Sequence, residues 1–192
     1  MTTDTVSHRF DVQSRETAPE ASRPILENAR RSYGFVPNLL GILANSPFAL
    51  RAYATLGEIL EEGTLTPAER QAAFLTLSVV NRCRYCVGAH TALARRAGVP
   101  EDVVEAIREE RPVPEARLSA LTTVARRLVE RRGWLGEDEV QGFLDAGFAE
   151  SQLLEVITAL AMKTLSNYTN HVAETPLDVA FRETAWTPPE GG

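Results

Sequence analysis

Apolar side chains recur at spacings of three and four residues through most of the chain, which is the period of an amphipathic α-helix. No segment shows the alternation of β-branched and polar residues that is typical of a strand. We therefore predict an all-α fold, a multihelical bundle, with helices at about 24–32, 37–43, 47–62, 66–80, 81–98, 100–110, 115–131, 137–146 and 151–172. A short segment then leads to Trp186.

Prolines, glycines and one capping box mark where several helices begin and end. Pro47 fits the first turn of a helix, and Gly63 is suited to closing the same helix. Thr66 and Glu69 have the spacing of a capping box, which predicts a well-defined helix start there.

The last long helix is predicted to be the most deeply buried. Residues 151–172 are apolar nearly all round, which is typical of a central helix in a bundle. We interpret the two tryptophans, Trp134 and Trp186, as packing anchors of the second half of the chain.

The same pattern predicts a single domain between two terminal segments. Residues 1–21 are polar and without clear periodicity, so we expect a flexible N-terminal arm, and residues 187–192 form a tail. Pro112 and Pro114 break the chain into halves. Each half has too few helices to bury its apolar faces, so one domain over 22–186 is the better interpretation.

Charge and hydropathy exclude some classes of function. The formal net charge of −6 argues against nucleic-acid binding, which needs a basic surface. No run of about 18 apolar residues suggests a membrane span, and the N-terminus lacks the apolar core of a signal peptide. We expect a cytoplasmic protein. Lys163 is the only lysine among many arginines, and we attribute this imbalance to genomic base composition.

The thiol chemistry of the chain is concentrated in one short run. Cys83 and Cys86 are its only cysteines, and His90 follows one helical turn after Cys86. In a reducing compartment such a pair is redox-active or binds a metal more often than it forms a structural disulfide. The positive end of a helix dipole would favour Cys83 as the nucleophile, whereas the spacing to the histidine favours Cys86.

Two simpler interpretations of these residues remain open. A zinc site needs four ligands, and the only other histidines are His8, in the predicted arm, and His171. Alternatively, both cysteines are inert core residues. We interpret His171, one turn after Asn167, as a hydrogen-bonded core histidine.

Several segments resemble one protein family. Residues 65–71 (LTPAERQ) and 78–90 (SVVNRCRYCVGAH) are similar to the alkylhydroperoxidase D-like (AhpD-like) branch of the carboxymuconolactone decarboxylase family. Residues 34–40 (GFVPNLL) followed by Asn45-Ser46-Pro47, together with 167–171 (NYTNH) and 175–178 (TPLD), resemble its longer, peroxidase-related members.

The resemblance implies an all-helical fold with the Cys-x-x-Cys at the start of a core helix, a homo-oligomer (trimer or hexamer), and a cysteine-based peroxidase without metal, haem or flavin. It assigns the attack on the peroxide to Cys86, resolution of the sulfenic acid to Cys83, and a proton relay to His90. The implied partners are a hydroperoxide substrate and a dithiol reductant, either a lipoyl or a thioredoxin-like protein.

One position departs from the family pattern. Gln71 stands where typical members have the relay glutamate, twelve residues before the first cysteine. An amide can orient His90 but cannot carry a proton or a negative charge. Glu69 is committed to its capping box, so the candidates to replace the carboxylate are His171 and Glu174. On this interpretation, a Gln71→Glu change is expected to raise the rate near neutral pH.

Other functions remain alternatives to a peroxidase. The cysteine pair could exchange disulfides or act as a redox sensor without using peroxide. Less favoured is an acid–base enzyme like the decarboxylases that give the family its name, since these do not depend on paired cysteines. A purely structural or binding role would leave both thiols inert.

Overall fold

The computed structural model describes residues 10–189, and within this range it is all-helical without a β-strand. The α-helices are α1 (Arg23–Tyr33), α2 (Asn38–Leu43), α3 (Pro47–Glu61), α4 (Pro67–Val80), α5 (Arg84–Arg96), α6 (Glu101–Arg108), α7 (Ala116–Glu130), α8 (Glu137–Asp145) and α9 (Glu150–Ala173). Short 3₁₀ turns lie at Glu20–Ser22 and Val179–Thr184. The predicted all-α fold is confirmed.

Helix boundaries follow the local signals that predicted them. Thr66 and Glu69 form the capping box at the start of α4, with each side chain accepting a backbone N–H of the other residue. Pro47 occupies the first position of α3, where the side chain of Ser46 accepts the N–H of Ala49. The largest difference is at α5, which begins at Arg84 rather than near Asn81 because a tight turn separates it from α4.

Helix α4 is the centre of the main core and packs against α5, α7 and α9. Its apolar side chains meet those of α5 to α9 in a cluster that includes Leu75, Leu77, Val79, Val87, Leu121, Val124 and Phe143. Fully burying side chains of this size contributes roughly 1.5–3 kcal/mol each. Helices from both sides of the segment Pro112–Pro114 thus share one core.

A second, smaller cluster lies at the N-terminal end of α5. It contains Leu26, Leu39, Leu43 and Leu50, together with Cys83, Tyr85 and Cys86. The two sulfur atoms are therefore part of a packed interior formed by α1, α2, α3 and the start of α5.

Helix α9 is not buried all round, and that prediction is wrong. One face is exposed in the single chain and carries Leu154, Ile157, Tyr168 and Val172. The opposite face is buried and includes an unusual set of polar residues, Lys163, Ser166, Asn167 and Asn170. Helix α9 thus has apolar residues on both its exposed face and its buried face. The part of the buried face that lies near α5 is polar.

The two tryptophans have different environments. Trp186 is buried and its Nε1 donates to the carbonyl of Arg108 at 3.0 Å, as expected of a packing anchor. Trp134 is 83% exposed, so its prediction as an anchor is wrong. It lies between α7 and α8, where no neighbouring helix covers it.

Part of the predicted N-terminal arm is attached to the body. The backbone N–H of Gln13 donates to the carbonyl of Gly41 at 3.1 Å, and Asn45 Nδ2 donates to the carbonyl of Asp11 at 2.8 Å. A side chain at Gly41 would clash, because its Cβ would lie 2.7 Å from Val12. Residues 10–21 thus pack on α2 rather than forming a loose arm; residues 1–9 and the end of the tail lie outside the described residues.

None of the helices in residues 10–189 combines the length and the apolar character needed to cross a membrane.

Candidate active site

The turn between α4 and α5 positions both cysteines. Helix α4 ends in a Schellman motif, in which the N–H of Arg82 bonds the carbonyl of Val79 and the N–H of Cys83 bonds that of Ser78. Arg82 adopts the left-handed conformation that this motif requires, with φ of 54°. Cys83 is consequently the N-cap of α5, and Cys86 is its third residue.

Both sulfur atoms are buried, free thiols that share one polar neighbour. Each cysteine is 1% exposed. Asn170, from α9, points its amide Nδ2 at Cys86 Sγ (3.2 Å) and at Cys83 Sγ (3.7 Å). Cys86 Sγ also lies 3.9 Å from Ser166 Oγ. An amide N–H can only donate, so this environment favours a sulfur that carries negative charge.

His90 has a hydrogen-bond partner on each ring nitrogen. Its Nδ1 lies 2.9 Å from Gln71 Oε1, and its Nε2 lies 2.7 Å from Lys163 Nζ. An ammonium group is a donor only, so Nε2 accepts and the proton of the neutral ring is on Nδ1, from which it donates to Gln71. The structure thus brings together Gln71 and His90, which the sequence paired by family resemblance.

Sequence reasoning missed Lys163 as a residue of this site. Its side chain is fully buried, and attributing the single lysine to base composition overlooked its contact with His90. The available signal was its spacing on α9. Ser166, Asn167 and Asn170 lie three, four and seven residues after Lys163, which places polar groups on one face of an otherwise apolar helix.

The direct proton path from Cys86 to His90 is absent in the described part of the chain. There, His90 hydrogen-bonds Gln71 and Lys163 but neither sulfur. His90 remains one turn after Cys86 on α5, as its spacing predicts, and Lys163 reaches it from α9. Any proton exchanged between the imidazole and Cys86 therefore has to pass by way of another group.

The two residues suggested as substitutes for the relay carboxylate lie elsewhere. His171 is exposed at the end of α9 and stacks on Tyr168, with ring centroids 6.3 Å apart. Glu174 is exposed and caps α9 in the left-handed conformation. The predictions that His171 is a core histidine and that either residue approaches the thiols are wrong, because His171 lies on the outward face of α9 with Tyr168 and Glu174 is exposed at its C-terminal end.

The electrostatic environment distinguishes the two thiols. Burial by itself would raise the pKa of Cys86, but a hydrogen bond from Cys83 and the positive charge of Lys163 outweigh it, so this pKa is lowered. The hydrogen bond to Cys86, together with burial, raises the pKa of Cys83. The pair is thus arranged as a thiolate at Cys86 and a thiol at Cys83.

His90 is held in its neutral form. Burial, reinforced by the positive charge of Lys163, lowers the pKa of this imidazole well below its usual value. His90 can therefore accept a hydrogen bond from Lys163 but does not itself supply positive charge to the site.

Tyr85, between the two cysteines, ties the site to two distant segments. Its hydroxyl donates to the carboxylate of Asp178 and accepts the N–H of Leu39 at 3.2 Å. The same carboxylate accepts the N–H of Asn38, at the start of α2, at 3.2 Å. Tyr85 is buried, and its hydrogen bonds fix the conformation of the Cys-x-x-Cys segment.

A cavity of about 550 Å³ adjoins the site on the side of His90. Gln71, His90, Phe74, Tyr53 and Met162 are among its lining residues, whereas neither cysteine is. Tyr53 also packs against the cluster that contains both sulfurs. Small molecules in the cavity would thus meet the imidazole first and reach the sulfurs past Tyr53.

Metal ligands do not converge in this region. Within the described residues, no three His, Cys, Asp or Glu side chains come together in an arrangement that could hold a metal ion.

Comparisons with known proteins agree with this geometry. Residues 47–126, which include Gln71, both cysteines and His90, match the model of the carboxymuconolactone decarboxylase family. No curated protein matches the chain.

Solved structures with similar folds cover nearly the whole chain. An uncharacterized peroxidase-related protein from Ralstonia eutropha, described as an alkylhydroperoxidase AhpD core, superposes with a TM-score of 0.82 at 23% identity, over 95% of this chain and 98% of its own. A peroxidase-related protein from Silicibacter gives 0.78 at 19%, over 94% and 97%. The debrominase Bmp8, as a cysteine-to-alanine variant with 2,3,4-tribromopyrrole, gives 0.78 at 17%, over 94% and 97%.

At these identities the structural likeness establishes the fold, and the matched segment contains the Cys-x-x-Cys-x-x-x-His run itself. Residues 47–126 thus match the carboxymuconolactone decarboxylase family model, and the chain as a whole has the AhpD-like fold.

Proposed function

We propose that this protein is a thiol-dependent peroxidase that reduces hydroperoxides through the Cys83/Cys86 pair. The observation that carries the proposal is the asymmetry of the pair. Cys86 faces the amide of Asn170 at 3.2 Å and has a lowered pKa, whereas Cys83 keeps its proton beside it. A thiolate with an adjacent thiol is what a two-cysteine peroxidase needs.

The proposed reaction proceeds in three steps. The Cys86 thiolate attacks the terminal oxygen of the hydroperoxide, the O–O bond breaks, and the products are a sulfenic acid and, after protonation, an alcohol. The Cys83 thiol condenses with the sulfenic acid, which gives a disulfide and water. A dithiol then reduces the disulfide by exchange and is itself oxidised.

His90 and Gln71 support this chemistry from the side of the cavity. Gln71 accepts the Nδ1 proton and orients the ring, and His90 links the cavity to the buried site in a proton relay. We propose Cys86, Cys83, His90 and Gln71 as the site residues.

Burial of the sulfurs favours a small substrate over direct exchange with a folded protein. Each cysteine is 1% exposed, so a protein disulfide could not reach them without rearrangement. This is the main argument against a disulfide exchanger. Among reductants, the burial of the sulfur atoms favours a slender dithiol such as a lipoyl arm over a thioredoxin-like partner.

Reductive dehalogenation is a second candidate for the same thiols. Bmp8, a debrominase by name, shares the fold, and the cavity beside His90 is lined by aromatic rings of Phe74 and Tyr53. In that reaction the Cys86 thiolate would attack the halogen of an aryl halide, so that the carbon–halogen bond breaks and a sulfenyl halide forms. The ring carbon would take up a proton in place of the halogen. The Cys83 thiol would then displace halide, releasing a proton and forming the same disulfide.

One assay separates the two candidates. Purified protein is given dihydrolipoamide with either cumene hydroperoxide or a bromopyrrole, and loss of peroxide and release of bromide are measured. We expect peroxide turnover that Cys86→Ala abolishes, while Cys83→Ala retains a single oxidation that leaves a sulfenic acid trapped by dimedone. Undiminished peroxide turnover in Cys86→Ala defeats the assignment, and bromide release without peroxide turnover favours dehalogenation.

We further propose that the protein is cytoplasmic and forms a homo-oligomer, a trimer or a hexamer. Support for an oligomer comes from the apolar stripe of α9, which is formed by Leu154, Ile157, Tyr168 and Val172 and is exposed in the single chain. The negative net charge supports the proposal that nucleic acid is not a partner.

A further inference from the structure

The ammonium group of Lys163 is buried without a carboxylate partner. Its side chain is fully inaccessible, and within residues 10–189 none of the ion pairs involves it. Its polar contact is the neutral His90, and its nitrogen lies 5.8 Å from the centroid of the Phe74 ring. A buried charge is costly unless an opposite charge accompanies it. As an ammonium, Lys163 therefore needs a buried anion that is not a carboxylate.

The anion that the site can supply is the thiolate of Cys86. Two residues on the same face of α9 as Lys163 reach this sulfur: Ser166 Oγ lies 3.9 Å from it, and the amide of Asn170 donates to it at 3.2 Å. The positive charge of Lys163 therefore acts on Cys86 from close by and lowers its pKa. The other titratable groups around it do not compete. Cys83 and Tyr53 have raised pKa values and stay neutral, and His90 is neutral as well.

Gln71 then has a physical reason to be an amide. With Gln71 and a neutral His90, Lys163 contributes one positive charge to the site, whereas a glutamate beside a neutral His90 would cancel that charge. That charge balances one thiolate. A carboxylate at position 71 would instead compete with Cys86 for the positive charge.

We propose that Lys163 is the cationic partner of the Cys86 thiolate and the proton donor to its leaving group, and that the uncharged Gln71 leaves His90 neutral so that Lys163 can fill this role. The inference rests on the proposed peroxidase function for its proton-transfer step. As the O–O bond breaks, the Lys163 ammonium gives a proton to the leaving alkoxide and becomes an amine. That amine then takes the Cys83 thiol proton and passes it to the hydroxide that leaves the sulfenic acid as water. Reduction of the disulfide by a dithiol returns two protons and restores the ion pair.

The first test measures the thiolate without requiring peroxidase activity. Lys163→Met keeps the length of the side chain and removes its charge. We expect iodoacetamide to alkylate Cys86 about five- to fiftyfold more slowly at pH 5 in this variant, because loss of a nearby opposite charge raises the thiol pKa from about 5 by roughly one to two units. Thr164→Ala, next to it on α9 with a hydroxyl bonded to Leu160, is the control and should leave the rate unchanged.

The same variants separate the proton-donor role from the electrostatic role. Above the raised pKa of Cys86, Lys163→Met should regain the alkylation rate of the native protein but not its peroxidase rate. Equal alkylation profiles in Lys163→Met and the native protein would overturn the inference. If the native protein shows no peroxidase activity, the alkylation profile still decides whether the ion pair exists, so the two proposals fail separately.

A second measurement applies if Lys163→Met does not fold. Because the chain has one lysine, protein labelled with ¹³C-lysine gives a single lysine Cε signal from the chain. We expect this signal to change over the pH range in which Cys86 alkylation titrates, and to lose that transition in Cys86→Ser. A signal with the same pH dependence in both proteins would contradict the proposal.

Discussion

At the scale of single residues, the chemistry of the site depends on which side of His90 carries charge. The family resemblance predicts a carboxylate at the position of Gln71, and the amide found there suggests a weaker proton relay through His90. The structure adds Lys163 on the other ring nitrogen, 2.7 Å from Nε2. The amide and the lysine are therefore best understood together, as two parts of one charge arrangement.

Gln71→Glu provides a test at this scale, and the geometry reverses the expectation from the sequence alone. A carboxylate at Nδ1 would draw positive charge towards itself and away from Cys86, which raises the pKa of the thiol. We expect alkylation of Cys86 at pH 5 to slow by roughly two- to fivefold, a shift of about half to one pKa unit, and peroxide turnover to fall. The measurement is the pH profile of both rates.

Gln141→Glu is a matched control for this change, because Gln141 is exposed on α8. It should alter neither profile. Faster turnover in Gln71→Glu would restore the original expectation of a carboxylate relay through this position.

At the scale of helices, the start of α4 is held by a carboxylate, Glu69, that binds two partners. Glu69 accepts the N–H of Thr66 at 2.8 Å and the guanidinium of Arg117, on α7, at 2.6 Å. Arg117 also donates a hydrogen bond to the carbonyl of Ala146, and its guanidinium lies over the ring of Phe148. This one side chain thus joins the central helix to α7 and to the segment after α8.

Glu69→Gln is expected to destabilise the fold in a pH-dependent way. Burial would raise the pKa of Glu69, but hydrogen bonds from Arg117 and Thr66 outweigh it and lower this pKa below its ordinary value. Ionised Glu69 therefore contributes stability that is complete above the unfolded pKa and is lost as the pH falls through the folded one. We expect a loss of about 1–2 kcal/mol at pH 7, which shrinks below pH 4.

Urea unfolding at pH 7 and pH 3.5 measures this difference in the free energy of unfolding. Glu183→Gln, at an exposed position of the same chain, serves as the control and should change little at either pH. A loss for Glu69→Gln that is as large at pH 3.5 as at pH 7 would show that packing, rather than the ionised carboxylate, is responsible.

At the scale of the whole molecule, the apolar stripe of α9 suggests that the single chain is part of an assembly. Leu154 is 65% exposed and Ile157 is 43% exposed, on the outer face of a helix whose inner face holds Lys163 and Asn170. Burying the stripe between copies would also stiffen the helix that positions these two residues.

Ile157→Glu tests the stripe. A charge in a packed interface is strongly unfavourable, so we expect light scattering to show a smaller particle than for the native protein. Val179→Glu, at an exposed apolar position outside the stripe, should keep the native size. A native protein that runs as a monomer of 21.1 kDa would contradict the proposed oligomer.

The sequence by itself determined the helices and the local parts of the site. Periodicity and caps placed α1 to α9 with few errors, because these signals act within one or two turns. Local spacing also placed Cys83, Cys86 and His90 together, because Cys83 caps α5 and the other two lie in its first two turns. Gln71 came from family resemblance, and its contact with His90 joins two helices that are adjacent in sequence.

Only the tertiary structure decided which residues of α9 meet the sulfurs and which face outward. The polar spacing of Lys163 and Asn170 was present in the sequence, but periodicity cannot say which helix a face packs against. His171 and Trp134 were misplaced for the same reason, since their exposure depends on which face of α9, and which part of the segment between α7 and α8, the fold leaves uncovered. Contacts over about 80 residues of sequence, such as Asn170 to Cys86, arise from burial of whole helix faces, which local signals do not encode.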